Sequence, residues 1–430
     1  GELWAKAVEY QGQAGDKAMS RSAFSQARSS YQRALAALDR LPESPAKIAR
    51  QVDLHLDARN ALFVLGDLPQ VGEHLLAAEG LLAGLDDEPR TARVLNFLNS
   101  YYGLAGDAER AIDIGKRALA LATVRADPAA SAVTYYYLGA AYNKTGQYHE
   151  ASAALRQGMN RVDGARQHER LGTTLVIAVA CRSHLVQCMA ATGDFAEGVE
   201  RGEEGVRIAE AANHPASSIH MITSLGILLS QRGAFIPAIP LLERALELCQ
   251  SANVRVYEPF VANRLGIAYA HGGRLEQAVA QLERGADESL AAGRVAFLSL
   301  SMVWLAEGYL LTGRVDEASA AAERAWALAN QTKERGHQAW ALKLLGDVAL
   351  RRERAESAQG YYRRALALSE ELAMRPLRAH CHAGLANCAL AGGARDDAHG
   401  EFSAALAEYR SLTMSFWLER IEAQLQTLAS

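Results

Sequence analysis

"LGIAYAHGGRLEQAVAQLERG", residues Leu265 to Gly285, decides the fold because the chain writes it again and again. Forty positions on comes "LAEGYLLTGRVDEASAAAERA" (Leu305 to Ala325), and forty positions back comes "LGILLSQRGAFIPAIPLLERA" (Leu225 to Ala245). Within the stretch, Leu265 and Tyr269 are four apart and share one helical face. Gly273 permits the positive φ that ends a helix. Ala278, Leu282 and Gly285 then mark one face of a second helix. Their small members let two backbones approach, where a larger side chain would overpack. One such hairpin cannot bury its apolar stripe alone, whereas stacked copies bury a continuous core.

Working outward, the turn glycine recurs as Gly66, Gly106, Gly146, Gly193, Gly233, Gly273, Gly313 and Gly393. The step is 40 residues except for 47 before Gly193, and Glu353 stands where another marker is due. Leucine lies eight before the marker from Leu98 to Leu385, and alanine five after it in most copies. The extra residues fall in "RVDGARQHERLGTT" (161–174), which predicts a longer connection there. Residues 1–45 read as an opening helix around Trp4 and Tyr10 and a first hairpin with Ala27 and Ala34. Residues 46–414 read as tandem repeats of about 40 residues. Residues 415–430, "SFWLERIEAQLQTLAS", read as a capping helix whose Phe416, Trp417 and Leu418 cover the last repeat.

Of 430 residues, 45 are Lys or Arg and 49 Asp or Glu, a formal charge of −4 with no basic footprint for nucleic acid. The five cysteines are odd in number and scattered, which suits a reducing cytoplasm better than a disulfide framework. The most apolar run, "LVIAVAC" (Leu175 to Cys181), is ended by Arg182, well short of a membrane span. The chain opens on Gly1 and is helical in pattern at once, so it reads as a piece of a longer protein or as a processed start.

The spacing of Leu138, Gly139, Tyr142, Gly146 and Ala151, repeated along nearly the whole chain, resembles the tetratricopeptide repeat, with a period six residues longer than the family's usual one. The resemblance implies an all-α, right-handed superhelical solenoid of about ten helix hairpins with a C-terminal capping helix. The opening "LWAKAVEYQGQAGDKAMSRSAFSQARSSYQRALAAL", with "VERGEEGVRIAEAANHP" and "AMRPLRAHCHAGLA", is similar to the C-terminal repeat region of bacterial signalling proteins that join a class III adenylate/guanylate cyclase domain and an AAA-like ATPase domain to such repeats. This chain carries no G-x-x-x-x-G-K-[ST] loop of its own.

Catalytic and metal constellations are sparse. "HCHAGLANC" (His380 to Cys388) places Cys381 and Cys388 two helical turns apart, but Cys181 and Cys188 repeat that spacing at the same repeat positions, so packing explains it. The paired acids of "LDDEPR" and "ARDDAHG" sit at turns or early in helices, where the helix dipole stabilises them. No G-x-S-x-G or H-E-x-x-H is present. The reading is therefore no enzyme, no cofactor and no metal.

The functional signal lies in what varies. In tetratricopeptide folds the first helix of each hairpin lines the concave face, and that carry-over points offsets −13, −10 and −6 from the marker glycine inward. The candidates are Arg93, Asn96, Tyr136, Gln187, His220, Phe260, Asn263, Glu307, Trp340, Lys343, Asp347, His380 and Asn387. They mix polar handles with aromatic anchors, which suits a peptide or small-ligand groove. A stripe of Trp340, Lys343 and Asp347, flanked by Glu307 and by His380 and Asn387, is expected to be its richest part; Lys343 and Asp347 as a mere surface ion pair is the competing view. The expected role is a non-catalytic regulatory or sensing module binding a protein segment, the protein's own upstream cyclase and ATPase domains, or a small molecule, with neither nucleic acid nor membrane as partner. The alternatives are a free-standing scaffold for protein assembly or the repeat region of an ATP-binding transcription regulator.

Overall fold

The computed structural model describes residues 2–124, 127–291 and 298–429. Helices α1 (Glu2–Ser20) and α2 (Phe24–Leu38) form the first hairpin, so the opening helix is itself a hairpin arm. The pairs continue as α3 (Pro45–Leu65) with α4 (Leu68–Leu82), α5 (Glu88–Ala105) with α6 (Ala108–Val124), and α7 (Pro128–Thr145) with α8 (Tyr148–Val162). Next come α9 (Ile177–Thr192) with α10 (Phe195–Ala211), α11 (Pro215–Arg232) with α12 (Phe235–Ser251), and α13 (Glu258–His271) with α14 (Leu275–Ala291). The series closes with α15 (Leu298–Leu311) and α16 (Val315–Gln331), α17 (Arg335–Arg351) and α18 (Ala355–Glu371), α19 (Arg375–Ala391) and α20 (Arg395–Ser411), and then α21 (Ser415–Ala429). No strand occurs among the described residues. The chain is an all-α, tetratricopeptide-like solenoid.

Local chemistry sets the helix ends. Prolines at the starts of α3, α5, α7 and α11 follow the capping side chains of Ser44, Asp87, Asp127 and His214, each accepting from a first-turn backbone N–H. The marker glycines adopt the left-handed turn, as at Gly146 (φ 83) and Gly193 (φ 92), and Glu353 takes the same conformation at φ 58. Inside several hairpins a small residue of the first helix faces a large one of the second. An added Cβ at Gly266 would press on Leu282, itself fully buried. The fourteen residues between α8 and α9 hold turns and bends, and Arg182 of α9 anchors this connection by pairing with Asp163 at 2.9 Å.

Repeat-to-repeat stacking does not leave an open trough. The superhelix winds round until later hairpins lie against earlier ones. The turn at Gly146 meets Arg335 and the Gly336 backbone, that at Gly193 meets Pro376 and Leu412, and that at Gly233 meets Phe416 and Trp417. Lys333 pairs with Glu109 at 2.6 Å, and Arg232 donates to the Thr413 carbonyl at 3.3 Å. One hydrophobic cluster accordingly joins Leu98, Tyr148 and Leu185 to Ala339, Leu377 and Met414. Trp417 of α21 reaches His271 and Phe235 as well as His380 near its own end. The first helices face inward, and the space they enclose is divided into chambers.

Candidate functional site

The first chamber lies within the earlier superhelical turn. Tyr136, His184, His220 and Tyr257 form a chain of rings along it, with successive centroids 5.8, 5.2 and 5.6 Å apart. Burial, joined by repulsion from His220 and Lys144, drives His184 well below its ordinary pKa, and burial alone lowers His220 to about 4. Both rings are therefore neutral donors and acceptors near pH 7. His220 Nδ1 is buried with no hydrogen-bond partner among the described residues. Gln187 Nε2 donates to Ser224 Oγ at 2.9 Å, while Asn143 approaches Gln187 Oε1 at 3.4 Å. Lys144, also on the wall, is lowered by burial to about 8 despite the opposing pull of Glu334.

The second, narrower chamber is walled by Trp304, Trp340, Phe235, His271, His380 and Trp417. Its charges are unevenly matched. Burial would raise Glu307, but the 3.0 Å hydrogen bond to His271 and the charge of Lys343 hold it at about 2. Lys343 pairs with Asp347 at 2.7 Å, and Asp347 also accepts from the Tyr362 hydroxyl at 2.6 Å. Arg264 has no such partner. It is 5% exposed, its guanidinium lies 3.4 Å over the Trp304 ring and 4.7 Å from Phe260, and its Nε and Nη1 are unbonded among the described residues. Burial drives it well below its ordinary value. The Trp417 indole N–H is likewise buried without an acceptor. A third cleft opens at the C-terminal end between Asp347, Asn387, Tyr409 and Arg420.

The candidate residues thus fall into groups. Tyr136, Gln187, His220 and Phe260 line the first chamber, and Glu307, Trp340, Lys343 and His380 the second. Asp347 and Asn387 lie in the terminal cleft, which Lys343 and His380 also border. Three candidates line none of these spaces. Arg93 is exposed and pairs with Asp53 at 3.1 Å, and Asn96 is buried. Asn263 is buried with its amide donating to the Pro259 carbonyl at 2.9 Å and the Ser301 hydroxyl at 3.0 Å. Lys343 and Asp347 form an ion pair, but in a half-buried setting rather than at the surface.

Offsets −13, −10 and −6 missed Arg264, Trp304 and His184 at −9, and Lys144 and His271 at −2. A signal for some of them exists. Arg264, His184 and His271 each interrupt an otherwise apolar or small-residue first helix, as in "VANRLGIAYAH" and "CRSHLVQC", where a polar residue needs a reason to be buried, whereas Trp304 carries no such signal. All five cysteines are free and buried, and no group of three or more metal-ligating side chains is assembled among the described residues. No described helix is long and apolar enough to cross a membrane.

Residues 297–371 match the tetratricopeptide repeat family. No curated protein matches the chain. Among solved structures, a Rap protein complexed with Competence and Sporulation Factor superimposes with a TM-score of 0.64 at 15% identity, covering 87% of this chain and 99% of that one. The Rap conjugation gene regulator of plasmid pLS20, in complex with the Phr* peptide, gives 0.52 at 12% identity, covering 87% of this chain and 97% of that one. The STAND protein PH0952 of Pyrococcus horikoshii, with its tetratricopeptide repeat sensor, gives 0.47 at 15% identity, covering 88% and 54%. At these identities the first two likenesses establish a shared fold.

Proposed function

We propose that the chain is a non-catalytic binding and sensing module that takes a peptide or extended protein segment into its first interior chamber. The observation that carries this reading is the ring-lined space inside the superhelix, in which neutral histidine and amide groups are presented between aromatic faces. Backbone amides of an extended segment need neutral donors and acceptors, and its side chains need apolar walls. The two Rap structures carry bound Competence and Sporulation Factor and Phr* peptide, which supports a segment as occupant of such a fold.

The sequence resemblance adds a context: the module is the C-terminal part of a cyclase/ATPase signalling protein. Occupancy of the interior then alters how the two superhelical turns sit on each other, and attached domains read that change. A ligand can shift the arrangement only by its differential affinity for the open and closed forms.

The test is retention of a synthetic mixture of short peptides by the immobilised chain, compared with a Gln187→Ala, Tyr257→Leu variant of unchanged helicity. Retention lost in the variant is the expected result. No retained peptide, or equal retention by both proteins, rejects the reading.

A further inference from the structure

The second chamber contains an electrostatic deficit. A guanidinium cannot shed its proton to escape burial, so a buried arginine without a counter-charge needs an anion. Arg59 is equally buried, but its guanidinium is sandwiched by Phe63 and Phe97 and donates to Asn60 at 3.1 Å. Arg182 is met by both Asp163 and Glu204 at 2.9 Å. Among the described residues Arg264 has aromatic faces but no anion, although Glu307 lines the same chamber, because that carboxylate is engaged by His271. The indole N–H of Trp417, another residue of this chamber, is a further donor without an acceptor among the described residues. Every unspent group named here is a donor, and the remaining wall combines aromatic and aliphatic side chains with Ser230, Gln231 and Lys343.

We propose that this chamber binds a carboxylate carried on a compact apolar or aromatic body, with Arg264 and Trp417 donating to the carboxylate and Trp304, Trp340 and Phe235 enclosing the body. Charge-assisted hydrogen bonds to a desolvated carboxylate are the strong kind, and so narrow a chamber takes a small acid or one terminal residue rather than a folded partner. Two sources share this chemistry, a free organic acid and the C-terminus of a peptide. The proposal extends the interior-binding reading to a second, chemically distinct site, and rests on it only in placing ligands inside the superhelix.

The experiment uses the full chain and four probes: hydrocinnamate, its neutral amide, and N-acetyl-glycyl-phenylalanine with a free or an amidated C-terminus. Binding is read by calorimetry and by fluorescence of the chamber tryptophans. Each acid that binds is expected to exceed its amide by roughly thirty-fold or more. Arg264→Met should abolish acid binding and, by removing an unpaired buried charge, raise the melting temperature of the unliganded protein. Trp417→Phe should weaken binding without that rise. Binding of the dipeptide acid alone identifies a peptide C-terminus as the source; binding of hydrocinnamate as well admits free acids. The proposal is overturned if neither acid saturates the protein, if amides match acids, if Arg264→Met binds as the parent does, or if inorganic phosphate competes as well as the acids. Gln187→Ala, in the first chamber, should leave acid binding intact, so failure of peptide retention and failure here are read separately.

Discussion

Tyr148, at the start of α8, directs its hydroxyl against Gly336 at the start of α17, so that an added Cβ there would overlap the phenol oxygen. The two residues belong to different turns of the superhelix, and their contact is part of what closes it. Gly336→Ala is expected to push the turns apart, destabilising by about 1–3 kcal/mol and enlarging the scattering radius. Because the overlap is mainly with the hydroxyl, Tyr148→Phe should restore much of the loss in the double variant. Equal melting of Gly336→Ala and the parent would mean the turns do not depend on this contact.

Truncation within one repeat should behave differently. Leu265 and Ala278 are each 1% exposed, on the two arms of one hairpin. Leu265→Ala is expected to cost about 2–5 kcal/mol, and Ala278→Leu about 1–3 kcal/mol by overpacking. In an open solenoid such damage stays local and broadens the melt. Leu265 and Ala278 sit in a second core cluster, and Trp326, Trp340 and Tyr361, which pack against both it and the cluster joining the two turns, should transmit the damage, so calorimetry should show a sharper transition for the parent than for Gly336→Ala.

Acid should weaken the fold through its buried histidines, partly offset over the same window by Asp57, whose carboxyl burial raises to about 6. Burial lowers His55, His214 and His220 to about 4 from an ordinary 6.5, with His74 adding to the effect at His55 and Arg170 at His214. Between those values the unfolded chain binds protons that the folded chain refuses, so stability falls as pH drops from 6.5 towards 4 and is unaffected by these groups above 6.5. His220 alone corresponds to about 3 kcal/mol over that window. Urea midpoints measured across it should fall, and His220→Gln should flatten the slope; an unchanged slope would show that His220 is not buried neutral.

The Lys343–Asp347 pair offers a contrast with the unpaired Arg264. Asp347→Asn removes the counter-charge of a half-buried lysine and is expected to cost about 2–4 kcal/mol, a figure reduced for the partial exposure of both groups. Adding Lys343→Met should recover most of it in chemical denaturation. If the double variant is no better than Asp347→Asn, the Tyr362 hydrogen bond to Asp347 is the dominant interaction.

Much of this protein was determined locally. The 40-residue period, the left-handed glycines and the facing of Gly266 by Leu282 follow from interactions within one hairpin, where helix spacing and turn chemistry are written in adjacent residues. The inward face of the first helices came instead from the resemblance to tetratricopeptide folds, and of the residues it pointed to Tyr136, His220, Trp340 and His380 line interior space. Only the tertiary structure decided that this interior is divided and closed. Each repeat turns slightly on the one before, and the accumulated rotation, not any motif, brings Lys333 to Glu109 and Gly336 to Tyr148. Packing between neighbouring hairpins sets Arg264 over Trp304 with no carboxylate against it among the described residues, whereas Arg182 meets Asp163 of the preceding connection and Glu204 of its own hairpin. A charge pattern along the chain cannot distinguish those fates, because whether a carboxylate reaches a buried charge is set by how the hairpins pack.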